Sequence, residues 1–408
     1  PPASRRGSRT AREDHPDEPG DDPNGVRLLI TPRSATRFLK VASLLHSDTR
    51  PTAFFVRDNY DRLNWGGRAT SAALRGLVSA KYKIEHSIGA AYLGRWYPRG
   101  EHVSHRSYQA LSYAFQRKRL LSLPVLGTIF EKGLSAAGNR RGLGYDFEDN
   151  LRLLLAYAKF DRRVATMLRD LEASDVLVAN VEGDGIFTPR PRRQFLLMMT
   201  LAHYAQQQNK PVYFVNGMFS EDPRSGINER TISVSNPVFE AAKVVTVREE
   251  ESYRFAQRWF PLVNTRAVPD ALYAWQPNIE LISKSPRDRS ALWPYYEMSN
   301  WSPPPIVQEG RYIAIGGSSA AAWNPKRAKP HYEALTQALK KLGQPLVLVQ
   351  TCEGDAFLED VAKEAGVPFI PVNIPVMAGA AVLARAEVFV SGRWHPSLMA
   401  TLGGTPCV

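Results

Sequence analysis

The stretch PLVLVQTCEGDAFLEDVAKEAGVPFIPVN (residues 345–373) decides the fold class. It places two apolar runs, PLVLVQ and PFIPVN, on either side of the helical pattern DAFLEDVAKEAG (355–366). Apolar strands that alternate with amphipathic helices are typical of a parallel sheet covered on both faces, because a parallel pair needs a crossover. The same alternation begins at YIAIGG (312–317) and ends at VFVSG (388–392), which predicts a doubly wound unit over residues 311–408.

The N-terminal part of the chain repeats this alternation. Buried strands are predicted at RLLI (27–30), AFFV (53–56), DVLVAN (175–180), PVYFVN (211–216) and KVVTVR (243–248). Helical patterns such as TSAALRGLVSA (70–80) separate them, and residues 276–310 hold six prolines without a clear period. We therefore expect an α/β protein of two doubly wound, Rossmann-like domains that face a cleft, in a GT-B-like architecture. The predicted domains are residues 27–275 and 311–408, with 276–310 as the interdomain linker.

Composition narrows the class of protein. The chain has 408 residues, 44% of them hydrophobic and 23% charged, which is ordinary for soluble globular domains. Its two cysteines, Cys352 and Cys407, have neither metal-ligand spacing nor the pattern of a disulfide framework. No apolar run approaches the roughly 18–20 residues of a membrane helix. We therefore expect a cytoplasmic protein without a metal site.

The formal net charge of +12 is unevenly distributed. Residues 1–26 are rich in Pro, Gly and acidic residues and lack aromatics, which predicts a disordered tail. Residues 94–141 carry nine Lys or Arg against two Glu, within a segment of about 94–145 that is read as a basic insert. This segment is either a solvated basic face or a contact for an anionic partner, such as a membrane surface at which the protein sits peripherally, or a diphosphate-linked substrate. No nucleic-acid-binding motif is present, so nucleic acid is not expected as a partner.

Two strand ends in the N-terminal half carry polar residues where ligands bind in this architecture. In NWGGRATSAALRGL (64–77), Asn64 and Arg68 flank the start of a helix, whose free N–H groups suit an anion; a plain glycine turn is the alternative. In ANVEGDGIF (179–187), Glu182 and Asp184 could bind sugar hydroxyls or act as a base, unless they form only a tight acidic turn.

Two further strand ends carry cationic residues. Arg248 leaves the strand KVVTVR just before a helix, and a salt bridge to the following glutamates is the alternative to a role in the cleft. Arg393 and His395 follow the last strand, and in extended backbone their side chains would point together while Trp394 packs on the opposite side. A guanidinium binds carboxylate or phosphate, and an imidazole titrates near neutral pH. The pair therefore predicts a site for an anionic substrate that must be protonated.

Four elements occur in an order that resembles the polysaccharide pyruvyl transferase family. They are the Asn-Trp-Gly-Gly helix start, the Glu-Gly-x-Gly strand end, Val-Arg-Glu-Glu-x-Ser followed by Val268-Pro269-Asp270, and the Arg-x-His strand end. The resemblance covers about residues 53–408, except the basic insert. It departs from the family at Gly67, where an acidic residue is usual, and at 182–185, where the family often has a fuller glycine run.

The resemblance implies a GT-B-like fold and the transfer of a pyruvyl group from phosphoenolpyruvate onto two hydroxyls of a sugar, which gives a ketal. Arg248, Arg393 and His395 would hold the donor and supply the proton, with no cofactor. Asn64, Arg68, Glu182 and Asp184 are assigned to the acceptor, a cell-surface polysaccharide or a lipid-linked oligosaccharide. The oligomeric state is not indicated.

A glycosyltransferase of GT-B architecture that uses a nucleotide sugar, such as a CMP-linked acidic sugar, remains the alternative. Donor phosphate could bind at a polar strand end formed by Gly316, Gly317, Ser318 and Ser319. Glu353 and Asp355, at the next strand end, could then hold the ribose. Both donors are anionic, so the residue types leave both open. A lipid- or polymer-binding scaffold is the non-enzymatic alternative, although a scaffold does not need polar residues at four strand ends.

Overall fold

The strand predictions of both halves can be followed in a computed structural model of the chain. It describes residues 49–59, 63–89, 97–98, 142–159, 161–185, 187, 193–222, 226–276 and 303–408. The predicted tail over 1–26 and the predicted strand at 27–30 lie outside the described residues, as do most of the basic insert and most of the linker. Residues Arg50–Val408 form one compact unit.

The N-terminal half contains a parallel sheet of six described strands in the order β2-β1-β5-β6-β7-β8. Its strands are β1 (Thr52–Asp58), β2 (Lys83–Gly89), β5 (Val176–Glu182), β6 (Val212–Gly217), β7 (Val244–Val247) and β8 (Thr265–Ala267). Two short strands, β3 (Tyr97–Pro98) and β4 (Gly142–Leu143), pair separately. The described helices of this half are α1 (Trp65–Ser79), α2 (Phe147–Ala158), α3 (Arg162–Ala173), α4 (Arg193–Gln207), α5 (Glu229–Glu240) and α6 (Glu250–Trp259).

The C-terminal half contains a second parallel sheet in the order β11-β10-β9-β12. Its strands are β9 (Ile313–Ser318), β10 (Leu346–Val349), β11 (Phe369–Ile370) and β12 (Val388–Gly392). The described helices are α7 (Pro305–Glu309), α8 (Ser319–Trp323), α9 (Pro325–Lys340), α10 (Phe357–Ala365), α11 (Val376–Ala384) and α12 (Trp394–Leu402). The α/β, GT-B-like fold class predicted from the alternation is therefore confirmed.

Alternate residues along the strands enter different hydrophobic cores, as expected for sheets covered on both faces. In β1, Phe54 belongs to a core on one face of the first sheet, whereas Phe55 belongs to a core on the other. That second core also contains Val347 and Phe389 of the C-terminal sheet. The two halves thus share one hydrophobic core.

Helix α1 contributes Trp65 and Leu74 to this shared core. Its first turn is capped by the Asn64 side chain, whose Oδ1 accepts from the Gly67 amide at 3.0 Å. Trp65 is fully buried, and its Nε1 donates to the Val372 carbonyl at 2.8 Å. A Cβ at Gly379 of α11 would lie 2.6 Å from the Trp65 ring, so only glycine allows this contact. Trp65 therefore stabilises the contact between the N-terminal half and the C-terminal half.

No helix in the described part of the chain combines the length and apolar character that crossing a membrane requires. Within the same residues, no group of three or more His, Cys, Asp or Glu side chains is arranged to hold a metal ion.

Candidate active site

Arg248 lies at the carboxyl end of β7, and its side chain reaches the interface between the two halves. Its amide donates to the Gly217 carbonyl at 3.0 Å, which keeps the backbone in line with β6. The guanidinium is 6% exposed, and its Nη1 donates to Asp270 Oδ2 at 3.0 Å. The same Nη1 is 3.0 Å from His395 Nε2. Arg248 therefore joins a carboxylate of its own half to the histidine of the other half, rather than pairing with the glutamates that follow it.

Asp270 organises this contact and was not assigned to the site from the sequence, although it ends the Val268-Pro269-Asp270 element. Its Oδ1 caps the 3₁₀ helix Ala271–Trp275 by accepting from the Leu272 amide at 2.9 Å. Its Oδ2 accepts from Arg248 and lies 3.4 Å from His395 Nε2. Burial raises the pKa of the Asp270 carboxyl, but His395, Arg248 and the Leu272 amide together outweigh burial and lower it. Asp270 is thus an ionised carboxylate that lies beside both the Arg248 guanidinium and the His395 imidazole.

The backbone around His395 is helical, so the expectation of an extended Arg-x-His segment is wrong. Helix α12 begins at Trp394, with Arg393 as its N-cap in extended conformation. Pro396 falls in the first turn, where a helix tolerates proline because that N–H has no partner inside the helix. The turn separates the two cationic side chains, and Trp394 is 61% exposed rather than packed. His395 consequently contacts the N-terminal half, while Arg393 contacts its own half.

His395 packs closely against the first turn of helix α1 because Gly66 has no side chain. A Cβ added at Gly66 would lie 2.7 Å from His395 Nδ1 and 2.9 Å from its Cβ, closer than real Cβ contacts allow. The imidazole therefore sits between the first turn of α1 on its Nδ1 side and the Arg248–Asp270 pair on its Nε2 side. This packing is a role of the Asn-Trp-Gly-Gly element that its glycine pattern alone did not reveal.

Arg393 forms a second buried cluster in the C-terminal half. Its Nη2 donates to Asp355 Oδ1 at 2.6 Å, and its Nη1 donates to the Ser319 hydroxyl at 3.3 Å. Burial lowers the pKa of the Arg393 guanidinium, but the bond to Asp355 and its charge outweigh burial and raise it. The Arg393 side chain is 14% exposed, so the cation is held in place while it stays at the edge of solvent.

The run Gly316–Ser319 surrounds this cluster. Ser318 caps α8, since its Oγ accepts from the Ala321 amide at 3.0 Å. A Cβ at Gly316 would lie 2.8 Å from the Phe389 ring, and a Cβ at Gly317 would lie 2.1 Å from Asp355 Oδ1. The structure thus brings Ser319 to Arg393, whereas the two glycines allow close packing beside it. These four residues remain predicted donor-binding residues.

The residues assigned to the acceptor lie in two places. Asn64 caps α1 within the N-terminal half, whereas Arg68 donates to the Ile374 carbonyl of the C-terminal half at 3.2 Å. Glu182 has a positive φ of 43° at the end of β5, and its carboxylate pairs with Arg57 at 3.3 Å and accepts from Asn59 at 3.2 Å. Asp184 lies in the 3₁₀ turn Gly183–Gly185 that follows.

Both site arginines keep unused hydrogen-bond donors. The Nε atoms of Arg248 and Arg393 are buried and have no hydrogen-bond partner among the described residues. For Arg248, the partner of Nη2 within the described part of the chain is the Met218 sulfur, at 3.8 Å, and a thioether is a weak acceptor. A buried donor without an acceptor is unfavourable by about 1–3 kcal/mol.

We compared the chain with protein families, curated proteins and solved structures. The family model described as polysaccharide pyruvyl transferase matches residues 83–408. No curated protein matches the sequence. Among solved structures, the chain is similar to the UDP-GlcNAc 2-epimerase of Methanocaldococcus jannaschii in complex with UDP-GlcNAc and UDP, with 11% identity, a TM-score of 0.47 and coverage of 87% of this chain and 83% of that chain. It is also similar to the UDP-GlcNAc 2-epimerase of Neisseria meningitidis bound to UDP-GlcNAc, with 9% identity, a TM-score of 0.44 and coverage of 88% and 81%.

Proposed function

The chain belongs to the polysaccharide pyruvyl transferase family, and from this premise we propose that it transfers a pyruvyl group from phosphoenolpyruvate onto two hydroxyls of a sugar, forming a ketal. The observation that supports this donor most directly is the presence of one histidine and two guanidinium groups at strand ends of the two halves. Arg248 and His395 meet across the halves, and Arg393 lies two positions before that histidine. Phosphoenolpyruvate has two anionic groups and one carbon that must be protonated, which matches this set of side chains.

We propose that the donor substrate binds to the N–H groups of Arg248 and Arg393 that are not bonded within the protein. Each guanidinium is held on one side by a buried carboxylate, Asp270 for Arg248 and Asp355 for Arg393. A planar guanidinium can donate two parallel hydrogen bonds to a phosphate or carboxylate, and such charge-assisted bonds are about twice as strong as neutral ones. We assign the donor's phosphate and carboxylate to Arg248 and Arg393 jointly. The remaining donors of both side chains would then stabilise the departing phosphate.

Proton transfer is assigned to His395. The imidazolium gives its proton to the CH₂ carbon of phosphoenolpyruvate, which becomes a methyl group, and positive charge develops on the neighbouring carbon. A sugar hydroxyl adds there and loses its proton, the C–O bond to phosphate breaks, and a second hydroxyl adds and loses its proton to close the ketal. General acid catalysis of this kind contributes roughly 10²–10⁴-fold. The Asp270 carboxylate lies 3.4 Å from Nε2 and helps to fix the orientation of the ring.

For the sugar acceptor, we propose the same binding residues that the sequence analysis assigned. Glu182 and Asp184 would receive protons from, or bond to, the sugar hydroxyls, and Asn64 and Arg68 would bind the acceptor beside them. We propose a cell-surface polysaccharide or its lipid-linked precursor as acceptor, with the basic insert as a peripheral contact to an anionic membrane. No cofactor is needed in this scheme, since the donor carries its own leaving group.

A thermal-shift panel with phosphoenolpyruvate, CMP, UDP and GDP tests the donor. We expect stabilisation by phosphoenolpyruvate and not by the nucleotides, since ligands that bind the folded state raise its melting temperature. Stabilisation by a nucleotide alone would overturn the pyruvyl donor and favour the glycosyltransferase alternative.

Two substitutions then separate binding from chemistry. His395→Ala should abolish phosphate release while phosphoenolpyruvate still stabilises the protein, whereas Arg393→Ala should weaken that stabilisation. Unchanged turnover in His395→Ala would show that the acid is another group. Exposed Arg327, in the same half, provides a matched control through Arg327→Ala, which should behave as wild type in both measurements.

A further inference from the structure

Asp355 is a fully buried carboxylate that lies beside the site without contacting the Arg248–His395 pair. It ends the 3₁₀ turn Glu353–Asp355 that follows β10. Its Oδ1 accepts from Arg393 at 2.6 Å and its Oδ2 accepts from the Thr351 hydroxyl at 3.1 Å. Both oxygens are thus engaged within the protein, and the side chain is 0% exposed. A carboxylate that binds a ribose needs a free oxygen at the surface of the site, and Asp355 offers none.

Gly317 makes this burial possible. It lies in β9, next to the turn, and a Cβ at this position would lie 2.1 Å from Asp355 Oδ1 and 2.3 Å from its Cγ. No side chain can share that space with the carboxylate. The buried position of Asp355 therefore requires that position 317 has no side chain.

We propose that Asp355 is a positioning residue that holds the Arg393 guanidinium for the anionic donor, and that Gly317 serves to make room for this carboxylate. The inference rests on the proposed function for the identity of the donor. Asp355 and the Ser319 hydroxyl take Nη2 and Nη1, so the Arg393 guanidinium has one orientation, with Nε left without a described partner. Pairing also allows a permanent cation to remain buried where burial alone would disfavour it.

Replacement of Asp355 should act on donor binding more than on the chemical step. In Asp355→Asn we expect the Kd of phosphoenolpyruvate, measured by calorimetry, to rise about 10- to 100-fold, the usual effect of losing a hydrogen bond to a charged group. The KM of phosphoenolpyruvate should rise with it, while kcat changes less, because His395 keeps its own partners. Asp360→Asn, which removes an exposed aspartate from α10, is the matched control and should bind as wild type. Wild-type binding in Asp355→Asn would overturn the proposal.

Gly317→Ala distinguishes room for Asp355 from a direct backbone contact with the donor. The methyl group should weaken donor binding as Asp355→Asn does, because it displaces the carboxylate. In an Asp355→Ala background the space is open, so adding Gly317→Ala should change the Kd by less than about twofold, a non-additivity typical of residues in contact. An equal loss in both backgrounds would show that Gly317 contacts the donor itself, and the assignment of its role would fall.

A measurement without ligand separates this proposal from the identity of the donor. Phenylglyoxal modifies accessible guanidinium groups, and peptide mass spectrometry can follow Arg393 against exposed Arg327. Arg393 should be protected in the wild type and should lose that protection in Asp355→Asn. Equal protection in both proteins would overturn the positioning role, whereas a wild-type protein that fails to bind phosphoenolpyruvate would overturn only the donor.

Discussion

Replacing Gly66 with alanine should slow the proposed reaction because the new methyl group meets the His395 imidazole. The added Cβ would lie 2.7 Å from Nδ1, whereas ordinary van der Waals contacts begin at 3.4 Å, so the ring must retreat by about 0.7 Å (3.4 − 2.7). A retreat of this size disturbs the 3.0 Å and 3.4 Å distances of Nε2 to Arg248 and Asp270. Since a 1 Å misplacement in a catalytic site costs about 100-fold, we expect kcat to fall about 10- to 100-fold. This loss corresponds to about 1.4–2.7 kcal/mol in the barrier.

The same substitution should leave the protein folded. Alanine favours a helix over glycine by about 1 kcal/mol, and overpacking a buried contact costs about 1–3 kcal/mol. The two effects oppose each other, so the free energy of unfolding should fall by no more than about 2 kcal/mol. A folded protein with low turnover is therefore the expected result, and thermal unfolding can verify the first part of it.

Gly67→Ala is the matched control, since it adds the same methyl group one residue later in the same turn. Its Cβ would lie 3.3 Å from Asn59 Cβ and 3.5 Å from the Asn59 amide nitrogen, which a small adjustment accommodates. The assay is phosphate release at saturating phosphoenolpyruvate and acceptor, with donor affinity measured separately. Wild-type kcat in Gly66→Ala would refute the reasoning. Equal loss in both variants would attribute the effect to the helix start instead of to His395.

Two further predictions concern stability. The pKa of Asp270 is lowered in the folded protein, so its ionised carboxylate stabilises the fold above its ordinary pKa of about 3.9, and this contribution is lost as the pH falls through the lower folded value. The difference in unfolding free energy between wild type and Asp270→Asn should therefore shrink as the pH falls below about 4, and a pH-independent difference would contradict the ion pairing. Trp65→Phe loses the bond to Val372 and leaves a gap beside Gly379, which should lower the urea-unfolding free energy by about 1–3 kcal/mol. Trp323→Phe, at a side chain that is 75% exposed, should stay within about 0.5 kcal/mol of wild type, and a similar loss in both would argue against Trp65 as the link between the halves.

The local pattern of the sequence was enough to predict the fold class and to place three candidate site residues next to strand ends. Apolar runs that alternate with amphipathic segments specify parallel strands, because burial on both faces leaves little room for polar residues inside them. A polar residue directly after such a run consequently marks the carboxyl edge of the sheet. This reasoning placed Arg248, Arg393 and His395 directly after strands without knowledge of which strands are neighbours, and their roles in the site stay predictions.

Only the tertiary structure decided how those residues combine. Arg248 and His395 are 147 positions apart and lie on different sheets, so their contact depends on the packing of the two halves around Trp65. The packing of the two halves also brings Asp270 and Gly66 to His395. Neither a lone aspartate nor a glycine at a helix start shows in the local sequence which residue it will contact. The first turn of α12 also parted Arg393 from His395, because a helix that starts at Trp394 replaces the extended backbone that an i, i+2 argument assumes. Residue types follow from local sequence, whereas the meeting of charges across an interface follows from the shared core that brings the two sheets together.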